Sequence, residues 1–259
     1  MVTAKRSVHD IFSARLYHYQ RFHSEWLETT LREAKVYCAN PASLNDPWDC
    51  KPCFTTKSYL SLDPERMSTG VQGEIARRGI YCLTPDPLST LMWAHYGANH
   101  TGICLEFHVT NLLFLKAQAV EYQIEYPEIL TEELYTRETV TKVLLTKAEC
   151  WRYEDEFRLI GSPDLPEDSP LRLHENYLTI PDLALMSVIV GCNGNYQAVQ
   201  SLVEECAPGL RVSRIVRAPN EYKLLFSLPE ERDRNRKMLS WPRSAELTSQ
   251  VTRAAEASS

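Results

Sequence analysis

Residues 151–160 read WRYEDEFRLI. The alternation predicts a β-strand with Arg152, Glu154, Glu156 and Arg158 on one face. Trp151, Tyr153, Asp155, Phe157 and Leu159 fall on the other. Side chains two apart on a strand project together, roughly 6.5–7 Å from one another. Glu154 and Glu156 would therefore repel, and one pKa should rise unless a cation compensates. Arg152 and Arg158 flank them and could do so. The row is either a solvated strand face or the lining of a site, and the stretch alone leaves both open.

Outward from it, the pattern predicts mixed helices and strands. On the N-terminal side, ARLYHYQ reads as a strand carrying His18. A helix follows, with Ser24 as N-cap and Trp26, Leu27, Thr30, Leu31 and Ala34 as its buried stripe. KVYCA, GIYCLT, TGICLEFHV and AVEYQIEY read as strands, and PLSTLMWAHYG as a short helix. Residues 57–78 read as a polar, helical insertion. Residues 131–150 read as a helix with Val140, Val143, Leu144 and Lys147 on one face. On the C-terminal side, LMSVIVG, NYQAVQSLVEECA and LRVSRIVR give strand, helix and strand. That spacing implies a right-handed parallel crossover, and APNEYKLLFSL adds an edge segment. The expected organisation is one α+β domain over 1–229, with split mixed sheets, flanking helices and a C-terminal β-α-β segment. A charged, disordered tail over 230–259 would follow.

Composition narrows the function classes. The chain has 259 residues, a formal net charge of -6, 44% hydrophobic and 24% charged residues. An acidic balance argues against a general nucleic-acid coat. No apolar run reaches the roughly 20 residues of a membrane helix, so no membrane partner is expected. The eight cysteines include several inside apolar segments, where a thiol acts as a small hydrophobe. With no signal-peptide pattern at the start, the expectation is a reduced, cytoplasmic protein. CKPC at Cys50–Cys53 lacks a second ligand pair, so no metal is expected.

Three further blocks set polar side chains where they could act. His18 sits among apolar residues of the first strand. SLNDPWDC places Asn45, Asp46, Trp48 and Asp49 in a turn, either as Asx turns or as a pocket wall. MWAHYGANH brings Trp93, His95, Tyr96 and His100 to a helix end, as a pocket or as an aromatic mini-core.

LYHYQ, NPASLNDPWDC, LMWAHYGANHTGICLEF and WRYEDEFR, in this order, resemble the bacterial domain-of-unknown-function 2971 family, over residues 16–226. That name implies no activity. The layout also resembles an ADP-ribosyltransferase-like fold, which binds NAD. That second resemblance implies His18 at the nicotinamide ribose, Glu156 as the catalytic carboxylate and Glu154 as its partner. It implies a stacking tyrosine, Tyr96 or Tyr81. Arg158 or Arg152 could hold the diphosphate or simply keep Glu156 ionised, and Trp93, His95, Asn45 and Asp46 are the candidate ligand-binding residues of their own blocks.

Three readings of function follow. The first is an ADP-ribosyltransferase-like enzyme using NAD on an unknown protein or nucleic-acid acceptor, as a bacterial toxin or phage-defence effector. The second is a metal-dependent hydrolase or nuclease using Asp46, Asp49, Glu106, Glu154 and Glu156. The third is a non-catalytic binding module, in which Asn45, Trp93 and Arg158 hold the fold.

Overall fold

A computed structural model describes residues 15–51, 53–55, 71–109, 111–126, 128–130 and 137–227. The expected tail and most of the insertion lie outside these residues, although 71–76 form a helix. The fold is α+β. Its contacts divide it into two compact units. Unit 1 takes the described residues within Met1–Val36, Leu83–Lys116 and Thr179–Ser259, and unit 2 those within Tyr37–Cys82 and Ala117–Leu178.

Unit 1 is built on a five-stranded sheet: β1 (Arg15–Gln20), β5 (Ile103–His108), β12 (Leu185–Val190), β13 (Arg211–Arg217) and β14 (Leu224–Phe226), in that spatial order. β1 and β12 flank β5 antiparallel, so β5 is an interior strand. Its residues 103–107 are buried on both faces, where the sequence suggested one apolar face. β12 and β13 pair in parallel, as the crossover reading required, and α4 (Tyr196–Cys206) connects them. The Asn195 carboxamide accepts from the Ala198 amide and caps α4. β14 closes the edge antiparallel to β13.

Helix α1 (Ser24–Glu33) departs from expectation at its start. His23 is the N-cap, without a side-chain hydrogen bond, and Ser24 is already helical. Trp26 is exposed and stacks on His23 with ring centroids 4.8 Å apart, so the buried stripe narrows to Leu27 and Thr30.

Helix α2 (Thr90–His95) is capped by the Ser89 hydroxyl, which accepts from the Met92 amide. It drives Trp93 into the core with no exposed surface, and the indole N–H donates to the Pro87 carbonyl at 2.9 Å. Tyr19 meets Trp93 edge-on at 5.0 Å. Trp93→Phe removes that hydrogen bond and part of the buried ring. We expect a loss of about 2 kcal/mol in urea unfolding.

Unit 2 uses shorter pieces. β4 (Gly79–Leu83, all but its last residue in this unit), β10 (Phe157–Gly161) and β6 (Gln118–Ala119) form a sheet in the order β4-β10-β6. β3 (Cys53–Thr55) pairs with β8 (Glu128–Leu130), and β7 (Glu121–Gln123) with β9 (Thr146–Ala148), both in parallel. The core beside α3 (Arg137–Leu145) gathers Cys50, Val71, Ile75, Ile80, Val140, Val143 and Leu144.

Two sequence expectations fail here, for one reason. The helix expected to run to residue 150 stops at Leu145, and β9 takes Thr146–Ala148. The strand expected over 151–160 begins only at Phe157. Glu149–Glu154 form a 3-10 helix, and Asp155 turns the chain at φ 44 in the left-handed region. Side-chain pairing decides both boundaries. The bend brings the charges of the two segments together instead of setting them in a row.

Candidate functional site: a buried charge network and its cavity

Arg158, in β10, is completely buried. A guanidinium has five N–H donors, and every one here finds an acceptor. Nε donates to Glu156 Oε1 at 2.7 Å and Nη2 to Glu156 Oε2 at 3.0 Å. Nη1 and Nη2 donate to Asp49 Oδ1 and Oδ2 at 2.9 and 2.6 Å. Nη1 also donates to the Leu144 carbonyl at 2.7 Å. One planar fork thus holds two carboxylates bidentately, a geometry that lysine cannot reproduce.

Lys147, in β9, completes the network. Its Nζ donates to Glu154, lies 3.1 Å from Glu156 Oε2 and 3.7 Å from Asp49 Oδ2. It also stands 5.1 Å from the centre of the Trp151 ring. The cation between the paired glutamates is therefore Lys147. Arg152 is exposed and binds Glu149 and the Tyr122 carbonyl instead. Burial pushes the Glu156 carboxyl up, but Arg158 and Lys147, with hydrogen bonds from Arg158 and the Cys82 thiol, pull it down to about 2. Compensation by Arg158, one of the two flanking cations expected, together with Lys147 thus prevents the rise that carboxylate repulsion alone would cause at Glu156. The Glu156 amide donates to the Tyr122 hydroxyl at 2.8 Å, fixing the backbone at the bend.

Among the described residues, Asp49, Glu154 and Glu156 thus share the two cations Lys147 and Arg158. Beside the network lies a cavity of about 210 Å³. Asp49 and Lys147 line it from the network, and Val143, Thr146 and Ala148 supply apolar wall. Trp48, Ile124 and Tyr126 also line it, and all three are exposed. Glu156 and Arg158 do not reach the cavity wall.

The expected site residues divide between the units. His18, Trp93, His95 and Tyr96 belong to unit 1, and Asn45, Asp46, Tyr81, Glu154, Glu156 and Arg158 to unit 2. His18 is half-buried on β1 opposite Leu105. His95 and Tyr96 keep their rings 6.3 Å apart on an accessible surface, whereas Trp93 is core and offers no ligand face. Asn45 is exposed. Asp46 is buried and makes the Asx turn, its Oδ1 accepting from the Trp48 amide at 2.9 Å.

The carboxylates of the metal-dependent reading also separate. Glu106 is in unit 1, bound by Arg15, Arg211 and Ser187. Asp49, Glu154 and Glu156 surround the Lys147 ammonium, which fills the place a divalent ion would need. Among the described residues no group of three or more His, Cys, Asp or Glu side chains could hold a metal ion.

Sequence reasoning missed Lys147 as the centre of this network. The available signal was a lysine on an otherwise apolar stripe, since a buried lysine requires a charged partner.

All of the network except Asp49 falls in a recognisable segment. Residues 92–159 match the family described as Protein of unknown function (DUF2971). The DUF2971 match runs from Met92 through Leu159 and so includes Lys147, Glu154, Glu156 and Arg158. No curated protein and no solved structure matches the chain. Among the described residues, no helix is long and apolar enough to cross a membrane.

Proposed function

We propose that the Arg158 network is scaffold and that the working surface of unit 2 is the cavity over Asp49, which binds a small, flat, cationic ligand. The observation that carries this reading is the placement of Asp49. It lines the cavity as one of three carboxylates gathered around Lys147 and Arg158. Asp49 and Glu125 put carboxylates on the cavity wall beside Lys51 and Lys147, and exposed Trp48 and Tyr126 supply ring faces that favour a cation. The volume suits a single substituted ring.

The nicotinamide ring of NAD has this chemistry, so NAD is the named candidate. N-methylnicotinamide, which is cationic, should bind with saturation, and neutral nicotinamide should bind more weakly. Trp48→Ala removes an exposed ring without touching the network and should weaken binding by about fivefold. Equal binding of the charged and neutral rings would end the proposal.

The second reading is ADP-ribosyl transfer from NAD to a protein or nucleic acid. Its motive is that Glu156 is held ionised, as a carboxylate that stabilises an oxocarbenium-like sugar must be, and it requires the wall over Glu156 to open to a sugar. Nicotinamide would leave with the bonding electron pair, and the acceptor would add at the sugar carbon and lose its proton. Labelled NAD offered with protein and nucleic-acid acceptors tests it. Absence of both labelled acceptor and released nicotinamide rejects transfer while leaving the binding proposal intact.

A further inference from the structure

Unit 1 contains a separate cavity of about 660 Å³. It is lined by Thr90, His100, Asn193, Arg217, Tyr222 and Lys223, among others. The chain reaches it through an unusual turn. Ala98, Asn99 and His100 all take positive φ, at 49, 54 and 67. Three successive left-handed residues with side chains cost on the order of 1 kcal/mol each, and such strain persists only where surrounding structure holds it.

Here the holding contacts are visible. The His100 amide donates to the Trp93 carbonyl, the Asn193 amide to the His100 carbonyl at 3.0 Å, and the Gly191 amide to the Gly102 carbonyl. A Cβ on Gly191 would stand 2.3 Å from the His100 oxygen, so glycine is required for this approach. The strain fixes His100 at the cavity wall. Its Nδ1 is shut away from water and has no hydrogen-bond partner among the described residues. Burial also lowers the imidazole pKa.

The opposite lining comes from the β13–β14 hairpin. Arg217 ends β13 and is exposed, and it makes no ion pair among the described residues. Lys223 is paired with Glu221. Tyr222, between them, is fully exposed. An unneutralised guanidinium, an exposed ring and a strained imidazole thus border one cavity, whose volume lies in the range of small-molecule sites.

We propose that this cavity binds a small phosphorylated compound bearing a flat ring, of the nucleoside monophosphate class. Arg217 takes the phosphate through its bidentate fork. Tyr222 stacks on the base, and the His100 turn forms the facing wall. The inference stands in unit 1 and does not depend on the reading of unit 2.

The test titrates the full chain separately with AMP, adenosine and inorganic phosphate. AMP should bind more tightly than either fragment. Arg217→Ala should weaken AMP by about tenfold or more, and Tyr222→Ala by about fivefold. Both side chains are exposed, so the fold is retained. Trp48→Ala should leave AMP binding unchanged, and Arg217→Ala should leave N-methylnicotinamide binding unchanged. No saturable AMP binding, equal affinity for phosphate and AMP, or an unaltered Arg217→Ala variant would each overturn the proposal.

Discussion

Arg158→Met should lose about 3–5 kcal/mol of stability, the cost of stranding buried charge by deleting one partner. The substitution leaves Asp49 and Glu156 without the fork that holds both, and the Leu144 carbonyl without a donor. Arg158→Lys should also be strongly destabilised, because one ammonium cannot serve two bidentate carboxylates. Replacing Asp49, Glu156 and Arg158 together with apolar residues of similar volume should recover much of the loss, since no charge is then stranded. Hydrogen exchange of the β10 amides measures this within unit 2. If Arg158→Met keeps wild-type protection while a ligand activity disappears, the network is a functional site and the scaffold reading is wrong.

Acid should weaken unit 2 through Glu156. Its carboxyl sits near 2 in the folded chain, against an ordinary 4.5. A depressed folded pKa means that the stabilisation is fully present above about pH 4.5 and is lost as pH falls toward 2. The amount is about 3 kcal/mol, from 1.36 kcal/mol for each pKa unit. Glu156→Gln removes the titrating group. The stability gap between wild type and this variant should therefore be wide at pH 7 and shrink steadily between pH 4.5 and 2. A gap that stays constant across that interval would show that Glu156 is not held ionised by Arg158 and Lys147.

Much of unit 1 could be read from the chain itself. The apolar runs of β1, β5 and β12, the amphipathic α4 and the strand-helix-strand spacing each bury a local pattern. Period and length therefore placed them, and the parallel β12–β13 pair followed. The short helix α2 was legible from the proline just before it and the glycine that ends it. Trp93, however, could be read either as a ligand surface or as core, because burial depends on what packs against α2 from elsewhere.

Unit 2 resisted for a physical reason. Alternation in WRYEDEFRLI predicts a strand only if neighbouring charges repel into solvent. Here Asp49, 109 residues from Arg158, and Lys147, nine from Glu156 and beyond a turn of the chain, compensate them in the interior. The electrostatic gain of that arrangement outweighs strand propensity, bends the chain at Asp155 and ends the preceding helix at Leu145. The sequence alone determined which residues form the strands of the main sheet, and it left the charged residues of this stretch open between a solvated face and a site. Only the tertiary structure decided that Glu154, Glu156 and Arg158 face inward on a lysine and an aspartate, because a charge pair is a property of distance in space.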